Sequence, residues 1–419
     1  MSVDSVVQYG QGLERAFSNQ HPPFGSMVFG VCGRIAGSPA GVLALQLAMI
    51  GCGFALLARP AARAFGASTI LLTLAFLATP STWAIAVVLW KDVLLAGALL
   101  LACAAFRASC TATTLVLLVV AALLRHDAVF AAAPLAVGAA WTAPALRWRS
   151  ARLGAATLAI VAMLLAPRAV ERAVGARDVW PVGQLFAYDL AGVYVREPEA
   201  FARSSLAHGI TLDDIRQRYT AFTAGPLLFA QRPGDRVISF HGLAARRELA
   251  GEWMRVIRAH PRAYLAHRWS VFRALLGAHG GPAFAPYHEV IAPNPWRLEM
   301  DRGRLYHALV SVRNAARESF VFRGWFWVAL SALGVALGAG RARRDAVPFW
   351  IATSGLAYAL AHVGISVASE FRYVYWTALA PFASAAAALA FRSTAHCESP
   401  PTMSIRRSAN PSTVRRSTR

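Results

Sequence analysis

Nine stretches of this chain are so apolar, and so sparsely charged, that they can only fold as helices packed against lipid or against one another. They lie at 41–59, 68–90, 90–106, 111–124, 128–146, 153–167, 321–340, 346–368 and 374–391. A helix needs about 20 predominantly apolar residues to cross a bilayer, and about 17 suffice. The runs at 90–106, 111–124 and 153–167 are short and must recruit flanking residues or thin the bilayer. Hydrophobic residues make up 57% of the chain, above the roughly 45–50% of soluble domains. The expected fold class is an all-α polytopic membrane protein with about nine transmembrane helices. An external, mainly helical region separates the sixth from the seventh.

The formal net charge is +21. The arginines are scattered between apolar runs and through one long loop, without the groove-sized patch that nucleic acid requires, so membrane lipids are the expected partner and nucleic acid is not. Arginine and lysine in short loops set orientation. Arg59, Arg63, Arg107, Arg147, Arg149, Arg152, Arg341, Arg343 and Arg344 fall on one side, and only Lys91, Arg125 and Arg372 on the other. Five segments follow: an external loop with an interfacial helix (1–40), a six-helix membrane module (41–167), an external mainly helical region (168–320), a three-helix membrane module (321–391) and a disordered basic cytoplasmic tail (392–419). Residues 24–37, short and Gly-rich, supply the interfacial helix. No cysteine lies between 168 and 320, so that region has no disulfide framework.

Within the external region, "TLDDIRQRYTAF" opens on Thr211 as an N-cap with Asp214 three residues on, close to a capping box. "ARRELAGEWMRVIRAH" puts Leu249, Trp253 and Ile257 on one helical face. Pro261 starts a further helix whose aromatics and arginines suit a bilayer surface. The Pro/Gly-rich stretch 277–303 is expected to be a loop that could cover a site.

Three external pieces carry ionisable groups against the membrane: residues 3–25 with Asp4 and His21, "WKD" with Lys91 and Asp92, and "EFRYVYW" with Glu370, Arg372 and Tyr373. Ionisable groups near lipid are costly and commonly mark a site or pathway. Lys91 is the only lysine in the sequence. Three readings stay open for "WKD": a remnant of a codon bias toward arginine, an interface anchor beside Trp90, or part of a site. Arg125 and Asp127 are expected to pair locally and cap two short helices. No zinc spacing, P-loop or dinucleotide fingerprint is present.

An external Asp followed about fifteen residues later by "HPP", a second external acid before a span (Asp92), and "RY" before a Pro-containing span (Arg372, Tyr373, Pro381) resemble the GT-C-type membrane glycosyltransferases. That class includes the protein mannosyltransferases and the aminoarabinose transferases acting on lipid A. The resemblance implies a bacterial inner-membrane enzyme with its active face in the periplasm and a polyprenyl-phosphate-linked sugar as donor, the acceptor being unknown. It implies catalytic roles for Asp4 and Asp92, substrate binding by Lys91, Arg372, His21 and Tyr373, and no protein metal site, a divalent cofactor being left open. Family members begin with a membrane span leading into the Asp-bearing loop, so this sequence resembles one that lacks its first span. Chemistry at such a site needs cations for the phosphate and one carboxylate to take the acceptor's proton; Asp4 is the expected base, with Asp92 holding Lys91 or orienting the acceptor. The competing classes are a lipid or solute transporter and a non-catalytic membrane scaffold.

Overall fold

A computed structural model describes residues 1–397 apart from 65, 205, 207–208, 231–233, 241, 280–290 and 301, and without the side chains of 63–64 and 391–397. Two expectations fall partly outside these limits: the covering loop at 277–303, at residues 280–290 and 301, and the basic tail at 392–419, from residue 398 onward. The chain forms α1 (Val3–Glu14), α2 (Pro23–Ala36), α3 (Ala40–Ala64), α4 (Gly66–Ala78), α5 (Pro80–Ala86), α6 (Lys91–Arg107), α7 (Thr111–Leu124), α8 (Val129–Thr142) and α9 (Arg149–Ala173). The middle region follows with α10 (Val182–Arg196), α11 (Pro198–Phe201), α12 (Leu212–Arg218), α13 (Gly225–Leu228), α14 (Leu243–Ala259), α15 (Pro261–Leu275) and α16 (Arg304–Ala316). The chain then closes with α17 (Gly324–Ala339), α18 (Val347–Ile365) and α19 (Tyr375–Cys397). Among the described residues there is no strand, only isolated bridges of Ser18 with Arg177 and of Thr223 with Ala368.

Each expected apolar run contains helix, but among the described residues three helices are long and apolar enough to cross a membrane: Ala40–Ala62, Arg149–Ala173 and Phe371–Ala390. A fourth is reached if α4 and α5 count as one span. The expectation of one helix across 68–90 is corrected by a 60° bend between these two. Pro80 disfavours helical geometry at Thr79, which is extended (φ −80°, ψ 110°). At the other extreme α9 outruns its apolar stretch of 153–167, because Arg149, Arg152, Arg168, Glu171 and Arg172 continue the helix where hydropathy has ended. Helix α6 is buried along most of its length, its apolar side chains meeting protein rather than a lipid-facing surface.

The N-terminal segment differs from the external loop expected of it, since residues 3–14 form α1. Ser2 caps the helix, its Oγ accepting from the Ser5 amide at 3.3 Å, and Asp4 sits in the first turn where a carboxylate suits the helix dipole. Gly12 and Gly30 let α1 and α2 approach backbone to backbone: a Cβ on Gly12 would lie 2.0 Å from the Ser26 carbonyl oxygen, and one on Gly30 2.2 Å from that of Gly12. The outer side exposes Met27, Val31 and Ile35 at helical spacing on α2, the apolar stripe an interfacial helix needs.

A second apolar core, formed by α10 with α14 and α15, organises the middle region. The face of α14 is turned from the expected one: Leu249, Glu252 and Val256 are buried, while Trp253 and Ile257 sit at its edge. The Thr211–Asp214 capping box is present in full. Helix α15 buries His267, Arg268, Val271 and Phe272 and exposes Leu265 and Trp269, so only one side is free to meet a bilayer. Buried Asp189 gathers Arg268 (2.5 Å), His267 (3.2 Å) and the Trp253 indole (2.8 Å). Arg268 also donates to the Ser366 carbonyl at 2.8 Å, which ties this core to the end of α18.

Overpacking a tight backbone contact costs about 1–3 kcal/mol, occasionally more. Gly12→Ala and Gly30→Ala should each lower the melting temperature in detergent. Gly51→Ala, at a helical position with open space around it, should leave it unchanged or raise it slightly.

Candidate functional site

A cavity of about 580 Å³ opens where the chain's beginning, first quarter and end meet, within the roughly 300–1,000 Å³ typical of ligand sites. Asp4, His21, Lys91, Asp92, Arg372 and Tyr373 all line it. So do Arg125, Asp127, Arg168, Glu171 and Gln184, which the sequence did not single out as site residues.

Two backbone contacts shape its rim. The loop at 17–19 pairs with Arg177, Asn19 N–H donating to the Arg177 carbonyl at 3.1 Å and Arg177 N–H to that of Phe17 at 2.9 Å. Across the cavity, Ala224 N–H donates to the Val367 carbonyl at 2.8 Å and Ser369 N–H to that of Phe222 at 2.7 Å. The middle region thus clamps both the loop carrying His21 and the strand-like segment leading to Arg372. From below, Gln46 on α3 donates to the Ala86 and Val88 carbonyls at 2.6 and 2.9 Å, fixing the chain where it turns into "WKD". Trp90 is held by its indole N–H donating to Ser2 Oγ at 3.0 Å, and the Ser5 hydroxyl donates to the Leu89 carbonyl.

The charged groups fall into two linked sets. In the first, Arg372 Nη2 meets Asp4 Oδ2 at 2.9 Å and its Nε meets Glu370 Oε2 at 2.5 Å. Its guanidinium lies over the rings of Trp90 (5.0 Å) and Tyr373 (5.2 Å). His21 stands 3.7 Å from Asp4 Oδ1 through Nε2, while its Nδ1 accepts from the Lys91 ammonium. That bond fixes the tautomer, with the ring proton on Nε2 facing Asp4. In the second set, Arg125 donates to Asp127 at 2.7 and 2.6 Å, a bidentate pair, and also to Asp92. Its guanidinium sits 5.0 Å from the centre of the Tyr373 ring.

Two expectations change here. Asp92 does not hold Lys91: its Oδ1 is bonded to Arg125, and its Oδ2 is buried without a hydrogen-bond partner. Arg125 does pair with Asp127 as expected, yet it also reaches into the cavity and links "RHD" to "WKD". Lys91 is consequently the cation here that hydrogen-bonds a ring nitrogen, His21 Nδ1.

Burial works to raise the Asp4 carboxyl, but the facing His21 ring and the charges of Arg372 and Lys91 outweigh it and hold it well below the usual carboxylate range. Burial, reinforced by the Lys91 charge, pushes His21 down to about 4, against the pull of Asp4. Burial raises the Glu370 carboxyl despite Arg372 beside it. At neutral pH the cavity therefore presents an ionised Asp4, a neutral His21 and the fixed charges of Arg372 and Arg125. Such a site can receive an anion at Lys91 and Arg372 and, once that anion draws Arg372 away from it, a proton at Asp4. Among the described residues no three His, Cys, Asp or Glu side chains converge as a metal site would require.

Arg125 had a signal in the sequence, since "RHD" mirrors "WKD" at a corner between apolar runs on the same side. Arg168 and Glu171 had a fainter one, as charges closing an apolar helix. No protein-family model, no curated protein and no solved structure matches this chain.

His21 titrates near 4 in the folded protein and near 6.5 when unfolded, so the unfolded chain binds the proton first as pH falls. Its stabilising contribution is complete above pH 6.5 and erodes toward pH 4. The melting-temperature difference between the wild-type protein and His21→Asn should shrink from pH 7 to pH 4; a constant difference would contradict the assignment.

Proposed function

We propose that this chain is a polytopic membrane glycosyltransferase that moves a sugar from a polyprenyl-phosphate donor to an acceptor at the periplasmic face of a bacterial inner membrane. In this reading the nine apolar runs cross or enter the bilayer, the short ones by tilting or by pairing with flanking residues. The reading is supported above all by one observation: six residues drawn from three distant stretches of sequence line a single cavity. It draws further support from the cavity's two kinds of lining, apolar at Phe130, Met163, Leu164 and Ile365 and charged at the two linked sets. A prenyl chain would lie along the first and its phosphate against the second.

The phosphate would dock on the Lys91 ammonium and the Arg372 fork, a point charge beside a planar donor pair. Docking on Arg372 competes with Asp4 for the guanidinium and frees that carboxylate. Asp4 then takes the proton from the acceptor hydroxyl as its oxygen attacks the anomeric carbon. The bond from that carbon to the phosphate oxygen breaks, and polyprenyl phosphate leaves with its electron pair. Phosphate is a good leaving group, so no strong general acid is needed. Attack from the face opposite the phosphate inverts the anomeric centre through an oxocarbenium-like transition state. Asp92, held by Arg125, would orient the acceptor.

The bend between α4 and α5 favours a second reading, a lipid transporter, because broken helices line transport sites. The two readings part at Asp4. General-base catalysis is worth about 10²–10⁴-fold, so Asp4→Asn should lower sugar transfer by that factor in membranes supplied with labelled lipid-linked sugar, while lipid binding persists. Arg372→Lys should weaken donor binding as well, since lysine cannot reproduce the fork. A transporter or scaffold would show no transfer to lose, and mass spectrometry of envelope glycans would be the same with and without the gene.

A further inference from the structure

Helix α9 is long and apolar enough to cross a membrane, and one of its faces lines the cavity. Met163 and Leu164 come first along that face, Pro167 follows, and Arg168 and Glu171 end it. The helix rises about 12 Å from Met163 to Glu171, so this wall passes from apolar to ionised along its length. An amphiphile lying against it takes one direction, its chain at Met163 and its polar head at Glu171.

Two other pieces of chain meet the ionised end. His126 Nε2 lies 3.9 Å from Glu171 Oε1, and the same histidine is bonded to the Asn19 backbone. Asn19 in turn holds the start of the middle region, its side chain donating to Asp178 Oδ1 and accepting from the Val179 amide, both at 2.8 Å. These ties carry Gln20, beside Asn19, and Gln184, in the first turn of α10, into the cavity lining with Arg168 and Glu171.

The four side chains are available to an occupant. Arg168, Gln20 and Gln184 make no side-chain hydrogen bond or ion pair among the described residues, and Glu171 makes only the long contact with His126. The other carboxylates lining the cavity are already held by arginine, Asp4 by Arg372 and Asp92 and Asp127 by Arg125. Burial and the Lys91 charge push His126 down to about 4, so its ring adds no charge at pH 7. What remains at this end is one guanidinium and one carboxylate, about a turn apart on α9, with two amides beside them. Such a set matches hydroxyl groups, because the guanidinium donates, the carboxylate accepts and each amide does both. It matches a charged group poorly. A carboxylate drawn to Arg168 also meets Glu171, an ammonium drawn to Glu171 also meets Arg168, and like charges brought together are costly.

We propose that this end of the cavity seats the sugar of the donor and selects an uncharged one. Its vicinal hydroxyls are shared between Arg168 and Glu171, and further hydroxyls bond Gln20 and Gln184. The assignment rests on the glycosyltransferase reading and adds to it the charge class of the sugar.

The test uses the full chain in lauryldimethylamine oxide, a detergent without a sugar headgroup. Binding of methyl glucoside, methyl glucuronide and methyl glucosaminide is compared by saturation-transfer NMR, and binding of a short polyprenyl monophosphate is measured separately. The neutral glycoside should bind several-fold more tightly than either charged one. Glu171→Gln should raise glucuronide binding to the level of glucoside or above, and Arg168→Gln should do the same for glucosaminide. Opposite shifts from the two variants cannot come from a general loss of structure. Equal binding of the three glycosides, preference for a charged one, or a ranking that neither substitution moves would each overturn the proposal. The expected ranking without any binding of the bare phosphate would support the sugar subsite and overturn the phosphate reading of the cavity, whereas phosphate bound without that ranking would overturn the subsite alone.

Discussion

The ion pair between Asp4 and Arg372 joins side chains 368 positions apart in sequence and closes the molecule on itself. A guanidinium removed from water at the edge of a helical bundle requires compensation, and Arg372 obtains it from Asp4, Glu370 and two aromatic faces. Asp4 can serve only because α1 is pressed against α2 through glycine, and α2 against the start of α3. Trp90 lies beneath the guanidinium because Ser2 and Gln46 hold the turn before α6. Much of the local architecture near the cavity thus serves to bring one carboxylate to one guanidinium and to leave Lys91 beside them.

Lys91 gives the cavity its polarity. Around it the carboxylates are already engaged, Asp4 and Glu370 with Arg372, Asp92 and Asp127 with Arg125. A neutral imidazole accepts one of its protons, and an incoming anion can take up the others. The single lysine of the chain therefore stands at a point where a strongly hydrated, compact cation differs physically from the arginine found at every other cationic position.

The helical class and the membrane character were legible in the apolar runs, whose periodicity and length depend on local sequence alone. The gathering of Asp4, His21, Lys91, Asp92, Arg372 and Tyr373 was legible through topology, because charge bias put those stretches on one side. Partnerships were not. Nothing local distinguishes an Asp92 that holds Lys91 from one that holds Arg125 across the bundle, since that choice is made by how α6 and the turn at 125–127 meet. Helix α1 escaped notice because Gly10 and Gly12, poor helix formers by propensity, are there for close packing. The break in α4–α5 could have been read from Pro80, had the apolar run not concealed it.

The central claim is that the first cavity recognises a lipid phosphate, and binding tests it most directly. Equilibrium binding of a short polyprenyl monophosphate and of the corresponding alcohol would be compared on the detergent-solubilised chain, with Lys91→Met alongside. The account predicts that the phosphate binds more than about tenfold tighter than the alcohol, a difference of roughly 1.4 kcal/mol or more, and that Lys91→Met removes most of it. Equal affinity for the two ligands, or a preference untouched by Lys91→Met, would contradict it.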